Sequence, residues 1–329
     1  MENALSTPPP LPSETIIAGF WRRILGFFID SILIGFVGCV IGLFFFDFLA
    51  GLGAWGRLVG FFVASLYYVP MNSRLAGGRT LGKRFAGIRV VGRGGEPIGL
   101  SRSLVRFVIL TVPFFLNGAP MSPAVLSSWI GIAAGILVFG FGGSIVYLII
   151  FNRRTRQSLH DLVAGTFVVK AESGSGPVTL RTAKIHFAIV ALLIVGSGLI
   201  PMLLRPLIST DFFKPLLAVQ QRILKEPEVG YASVFQGVTK FWGTKASSTQ
   251  SYLTVSVMLR QKPADFDQEA DKIAGMVLGE YPGALEKDLI TVSIIYGFDI
   301  GIAHLSRSKV VPHSPKEWQD RLYPLSRKK

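Results

Sequence analysis

An aspartate, Asp30, stands inside an apolar run that extends from Ile24 to Leu49. A carboxylate at the centre of a membrane-spanning helix costs about 2.5–3.5 kcal/mol on insertion scales, so it faces protein or water and has a partner. Such a group can carry a proton, ion or solute, or it can pin helices together through an ion pair or hydrogen bond. Arg23 lies two helical turns earlier on the same face, about 10 Å away along the axis, too far for the two to touch. Each is therefore available to a different helix or loop. Asp161, with His160 beside it and Arg153, Arg154 and Arg156 shortly before it, is the candidate third member of one polar cluster.

Two catalytic readings of the neighbouring residues fail. Gly77-Gly78-Arg79-Thr80-Leu81-Gly82-Lys83-Arg84 has the glycine and lysine spacing of a phosphate-binding loop. Arg84, however, replaces the Ser or Thr that would hold magnesium, and the segment follows an apolar helix rather than a strand. His160-Asp161 suggests metal-dependent phosphohydrolase chemistry, which needs further histidines and acids converging on the metal. The others, His186, His304 and His313, fall at the start of an apolar run and in the C-terminal region. No metal site, cofactor or enzymatic activity is expected, and His160 is assigned to orienting or capping a short helix. The basic residues between Arg74 and Arg106 read as a cationic segment lying on anionic lipid headgroups.

The elements that must position these residues are membrane spans. Half of the 329 residues are hydrophobic, only 16% are charged and mean hydropathy is +0.49, too apolar for a soluble chain of this length. Cys39, the single cysteine, excludes intramolecular disulfides and cysteine-rich metal sites. Residues 1–15 are polar and proline-rich and read as a disordered tail. Four segments have about the 20 apolar residues that a span needs: Ile24–Leu49, Gly53–Met71, Val125–Phe151 and Ile185–Leu204. Leu104–Leu116 is shorter and contains Pro113, but counting it as a fifth span places 16 of the 17 basic residues before position 205 on the cytoplasmic side, with Arg57 the exception. The expectation is an α-helical polytopic membrane protein of about five spans, N-terminus cytoplasmic, with a small C-terminal α+β extracytoplasmic domain over 205–329. Gly38 with Gly42, Gly56 with Gly60 and Gly131 with Gly135 have the spacing that lets helix backbones approach.

Between the second and third spans, 87–91 reads as a strand, 92–95 as a turn and 97–100 as a return strand, with Ser101 capping the next helix. After the fourth, 158–164 reads as a short helix stopped by Gly165 and followed by a strand over 166–169. These strands are expected to join in a small cytoplasmic sheet that brings Asp161 near the basic segment. In the C-terminal region, 211–225 reads as an amphipathic helix, 229–241 as helical or irregular, 251–259 as a strand and 265–280 as a helix. Two further strands, 289–296 and 300–306, are expected to meet near Gly297.

Three blocks carry a family resemblance: Ala18-Gly19-Phe20-Trp21-Arg22-Arg23 leading to Ile29-Asp30; Thr80-Leu81-Gly82-Lys83-Arg84 with Gly87-Ile88-Arg89-Val90-Val91; and Arg156-Gln157-Ser158-Leu159-His160-Asp161-Leu162-Val163-Ala164-Gly165-Thr166. As an ordered set they resemble the RDD family of bacterial membrane proteins over roughly 16–172, leaving 173–204 as linker and fifth helix. The resemblance implies a polar membrane cluster of Arg23, Asp30 and Asp161, supported by Arg22, Lys83, Arg84, Arg154, Arg156 and His160, in the bacterial inner membrane. It implies little about activity. Two roles follow: a structural or signalling component joining an outer binding domain to the cytoplasmic sheet, or an ion- or solute-transport component using Asp30. The expected partners are a bilayer with anionic headgroups and, for transport, a homo-oligomer or another membrane subunit; nucleic acid is not among them.

Overall fold

A computed structural model describes residues 16–323 except 120, 122–124, 126–127, 175, 209 and 243–246. The expected disordered tail over 1–15 lies outside the described residues. In chain order the elements are α1 (Phe20–Phe44), α2 (Phe46–Leu52), α3 (Gly56–Met71), α4 (Leu81–Phe85), β1 (Ile88–Gly92), α5 (Leu100–Leu116) and α6 (Trp129–Phe151, with a π-helical segment at Ile136–Phe141). There follow α7 (Leu159–Ala164), β2 (Thr166–Lys170), α8 (Lys184–Ile208), α9 (Lys214–Leu224), β3 (Val229–Trp242), β4 (Ser247–Leu259), α10 (Phe266–Glu280), β5 (Leu289–Asp299), β6 (His304–His313) and α11 (Pro315–Leu322). Among the described residues, three helical stretches are long and apolar enough to cross a membrane: Phe20–Phe44, Phe46–Met71 and Trp129–Phe151. On α1, Phe28, Ile32 and Phe36 are exposed, while Arg23, Gly26, Asp30 and Ile34 are buried on the opposite side. Apolar outside and polar inside is the arrangement that lipid as solvent demands.

The chain divides into two compact units, one formed by described residues of 1–36, 61–118 and 133–199, the other by those of 37–60, 119–132 and 200–329. In the first, β1 and β2 join in a small sheet as expected, antiparallel and with Val90 opposite Val168, and the chain before α1 extends it: Ala18 N–H donates to Val168 O at 2.9 Å, and Ile17 bridges Val169. Both faces of this small sheet are covered, by Ala18, Ala86, Ile88, Val90, Ile98 and Val168 on one cluster and Val91, Phe167 and Val169 on another. Two local expectations are corrected. Residues 97–99 form no strand, and α5 starts at Leu100 with Gly99 at its N-cap, so Ser101 is inside the helix. The helix runs past the polar residues that seemed to precede it because each finds a partner: Arg102 donates to Ala164 O and Ser103 to Val69 O.

In the second unit a sheet of order β3-β4-β5-β6 has β4 and β5 parallel and its other pairs antiparallel. The parallel pair requires a crossover, which α10 supplies. Helices α9, α10 and α11 cover one face through Val219, Ile223, Ile273, Val277 and Trp318, packed with Val255, Val257, Ile290, Val292 and Ile294. Residues 229–241 are strand rather than helical or irregular: the glycines that seemed to break the segment lie where neighbours crowd, and a Cβ at Gly237 would stand 2.7 Å from the Tyr252 hydroxyl. The β5–β6 turn is at Ile300–Ala303, not Gly297. Gly297 stays in β5, where Leu305 O would be 2.3 Å from a Cβ, and the turn is made by Gly301 at φ +78°, its N–H donating to Asp299 Oδ1 at 2.7 Å.

That turn packs on the residues of the second unit drawn from the apolar helices. A Cβ at Gly38 would be 2.9 Å from the Ala303 methyl, one at Gly42 would overlap the Phe298 ring, and one at Gly60 would be 1.8 Å from Ile300 O. The small-residue spacing thus admits a β-turn where a second helix was expected. Leu49, Phe298 and Ile300 form the buried centre of this joint. Its polar members are paired: Tyr296 donates to Asp47 at 2.7 Å, and Arg57, the exception to the charge bias, forms an ion pair with Asp299.

A buried polar cluster as the candidate functional site

All of the following lies in the first unit. Asp30 is 1% exposed and accepts three hydrogen bonds: from Tyr67 Oη at 2.7 Å, from Thr80 Oγ1 at 2.5 Å and from Gly82 N–H at 2.8 Å. The glycine-and-lysine loop is therefore an anion cradle whose anion belongs to the same chain. Thr80 also accepts from Lys83 N–H, capping α4, so one hydroxyl starts the helix and holds the carboxylate. Gly82 is required by closeness: a Cβ there would be 2.1 Å from Gly26 O of α1 and 2.9 Å from the Asp30 carboxyl carbon.

Asp161 is fully buried at the third position of α7, where it accepts from Ser158 N–H at 3.3 Å and Thr166 Oγ1 at 3.0 Å. Two guanidiniums converge on it. Arg106 Nη2 lies 2.9 Å from Oδ1 and Arg23 Nη1 3.3 Å from Oδ2. Arg23 also donates to Ala18 O and Val168 O, both at 3.3 Å, so a single side chain ties the start of α1 to β2 and α7. Burial acts to raise the Asp161 pKa, but Arg106, His160 and Arg23 outweigh it and hold the carboxyl well below the usual range. His160 is pushed down to about 3, first by burial and then, against Asp161, by Arg106 and Arg23; it is neutral, and its Nε2 faces Arg106 Nη2 at 3.2 Å. Lys83 is lowered to about 7 by burial and by Arg106, within electrostatic reach of both aspartates.

The structure brings Arg23 and His160 onto Asp161, whereas Asp30 is held by Tyr67, Thr80 and Gly82 and does not touch Arg23. Arg22 donates to Ala86 O at 3.1 Å beside the end of α4. Arg84 and Arg154 are exposed and outside the cluster, and Arg156 is half-buried at a left-handed φ of +54°. Sequence reasoning missed Arg106, Tyr67, Thr80 and Gly82. Arg106 was grouped with the lipid-facing cations, although its four-residue spacing from Arg102 on an otherwise apolar helix marks one inward face.

This geometry accounts for the three sequence blocks as one unit: Arg23 and Asp30 on α1, the Thr80–Lys83 cradle, and Asp161 on α7. Comparison with known families agrees, since residues 17–165 match the model of the RDD family. This membrane segment belongs to the RDD family. A relative of the RDD segment is the uncharacterized protein YckC of Bacillus subtilis (strain 168), 26% identical over 159 residues that make up 48% of this chain and 87% of the relative. The RDD segment thus takes up the N-terminal half of the chain, and an α+β region lies beyond it.

Proposed function

We propose that the protein is a non-enzymatic structural or signalling component of the bacterial inner membrane, joining an outer binding domain to a cytoplasmic sheet. The proposed topology has five spans, including α5 and α8, with the N-terminus inside and 205–329 outside. One observation carries the reading. The N-terminal half of α1 is bound to the small sheet through Arg23, Asp161 and Val168, and its C-terminal half presents Gly38 and Gly42 to the β5–β6 turn. Part of α1 therefore belongs to each of the two units that the proposal connects. Arg57, on the opposite side of the membrane from the other basic residues before position 205 in this topology, pairs with Asp299 of the C-terminal domain, which supports placing both outside.

Transport through Asp30 is the weaker reading, because the carboxylate is enclosed by three donors of its own chain. Substitution of Asp30→Asn separates the two. An amide keeps the shape but turns one acceptor into a donor facing donors, so the expected result is a destabilisation of roughly 1–2 kcal/mol, read from the melting of purified protein. Reconstituted vesicles are expected to show no proton or sodium flux with either parent or variant. A flux that the parent supports and the folded variant lacks would replace this reading with transport.

A further inference from the structure

At the end of α1 and the end of α6, a cleft of about 560 Å³ is lined by Arg22, Arg153, Arg156, Lys170, Trp21 and Ile150, together with Phe20 and Gly19. Its volume falls within the range of small-molecule sites. Four cations line it and no acid does; among the described residues, Arg153, Arg156 and Lys170 form no ion pair. Like charges gathered without a counterion repel unless an anion joins them. Backbone geometry reinforces the point: Arg156 is the one non-glycine residue at positive φ among those described, a conformation that costs of order 1–3 kcal/mol and marks ligand-holding turns. The surrounding turn is fixed by Asn152, whose amide donates to Thr155 Oγ1 at 2.7 Å and Gln157 O at 2.9 Å, so the strained residue is held in place.

We propose that this cleft binds the phosphate headgroup of an anionic membrane lipid. The phosphate is the chemistry that several guanidiniums and an ammonium recognise. The lipid source follows from the remaining wall. Trp21 is 78% exposed, Ile150 and Phe151 are exposed beside it, and both contributing helices are apolar enough to cross a membrane, so an acyl chain can run along the helix surface from a headgroup held at its end. The site is independent of whether the protein signals or transports.

The test uses the full chain in detergent, with binding of phosphatidylglycerol and phosphatidylcholine followed by native mass spectrometry. The parent is expected to retain phosphatidylglycerol selectively. The double variant Arg153→Gln, Lys170→Gln removes two cations without touching a structural hydrogen bond, and is expected to bind it at least roughly tenfold more weakly. Arg156→Gln is a second, separate variant expected to weaken it in the same direction. The control Arg307→Gln, Lys316→Gln removes the same charge from exposed positions elsewhere and is expected to bind like the parent. Equal weakening in the control would show diffuse attraction and overturn the cleft assignment, as would undiminished binding in both cleft variants. Displacement of the lipid by glycerol 3-phosphate at comparable concentration would overturn the lipid as occupant in favour of a soluble phosphate.

Discussion

Asp161→Ala is expected to remove about 3–5 kcal/mol of stability, enough to leave little folded protein after purification. The loss is large because Arg23 and Arg106 remain buried with no counter-charge, and because Ser158 N–H and Thr166 Oγ1 lose their shared acceptor. The start of α1, α5, α7 and β2 all lose a common anchor. Melting of the detergent-purified full chain measures the effect, and a melting curve like the parent's would contradict the assigned role of the pair. The double variant Arg106→Leu, Asp161→Leu is expected to cost less than the two single losses added together, since with Arg106 gone only Arg23 is left buried without a counter-charge. Acidification acts in the same direction. The folded pKa of His160 is depressed to about 3, so the unfolded chain takes up the proton first and stability falls below about pH 6.5. The Asp161 carboxyl is also depressed, so its contribution is present above the ordinary carboxylate pKa and is lost as pH falls below about 4.

Gly60→Val is expected to release the C-terminal domain from the helix ends. The obstacle to any side chain there is the Ile300 carbonyl, part of a turn already fixed by Gly301 and Asp299, so relief requires backbone movement rather than a rotamer change. Overpacking of this kind costs roughly 1–3 kcal/mol, and a backbone obstacle places the cost toward the upper end. The joint also contains the Arg57–Asp299 and Tyr296–Asp47 pairs, which would be exposed to competition from water once the turn lifts. Limited proteolysis reads the outcome: the variant should release an intact C-terminal fragment faster than the parent while the core of the α9–α11 face stays folded. Identical cleavage would show that the turn does not hold the domain in place.

Much of this was legible in residue types and spacing. The arginine and two aspartates, the short helix stopped by Gly165 and the strand pairing of 88–92 with 166–170 follow from local rules that the tertiary structure obeys. What was not legible depends on partners far apart in sequence. Arg106 looks like one more cation in a basic stretch until Asp161, 55 residues later, is placed opposite it. Gly42 and Gly60 look like helix-packing glycines because nothing local shows that residues 298–300 come back to them. Gly230 and Gly237 suggest a broken element, whereas close neighbours are what favour glycine there, and the alternation around them is strand. Glycine spacing announces close approach without saying what approaches.

The proposal's central claim is that the protein crosses the membrane so that its two-stranded sheet lies inside and its C-terminal domain outside. Single cysteines introduced into a Cys39→Ser background by Arg84→Cys in α4 and Lys316→Cys in α11, both exposed positions, test it with a membrane-impermeant maleimide. In intact spheroplasts the Lys316→Cys protein is expected to label and the Arg84→Cys protein to label only after lysis. Protection of the Lys316→Cys protein until lysis would contradict the account.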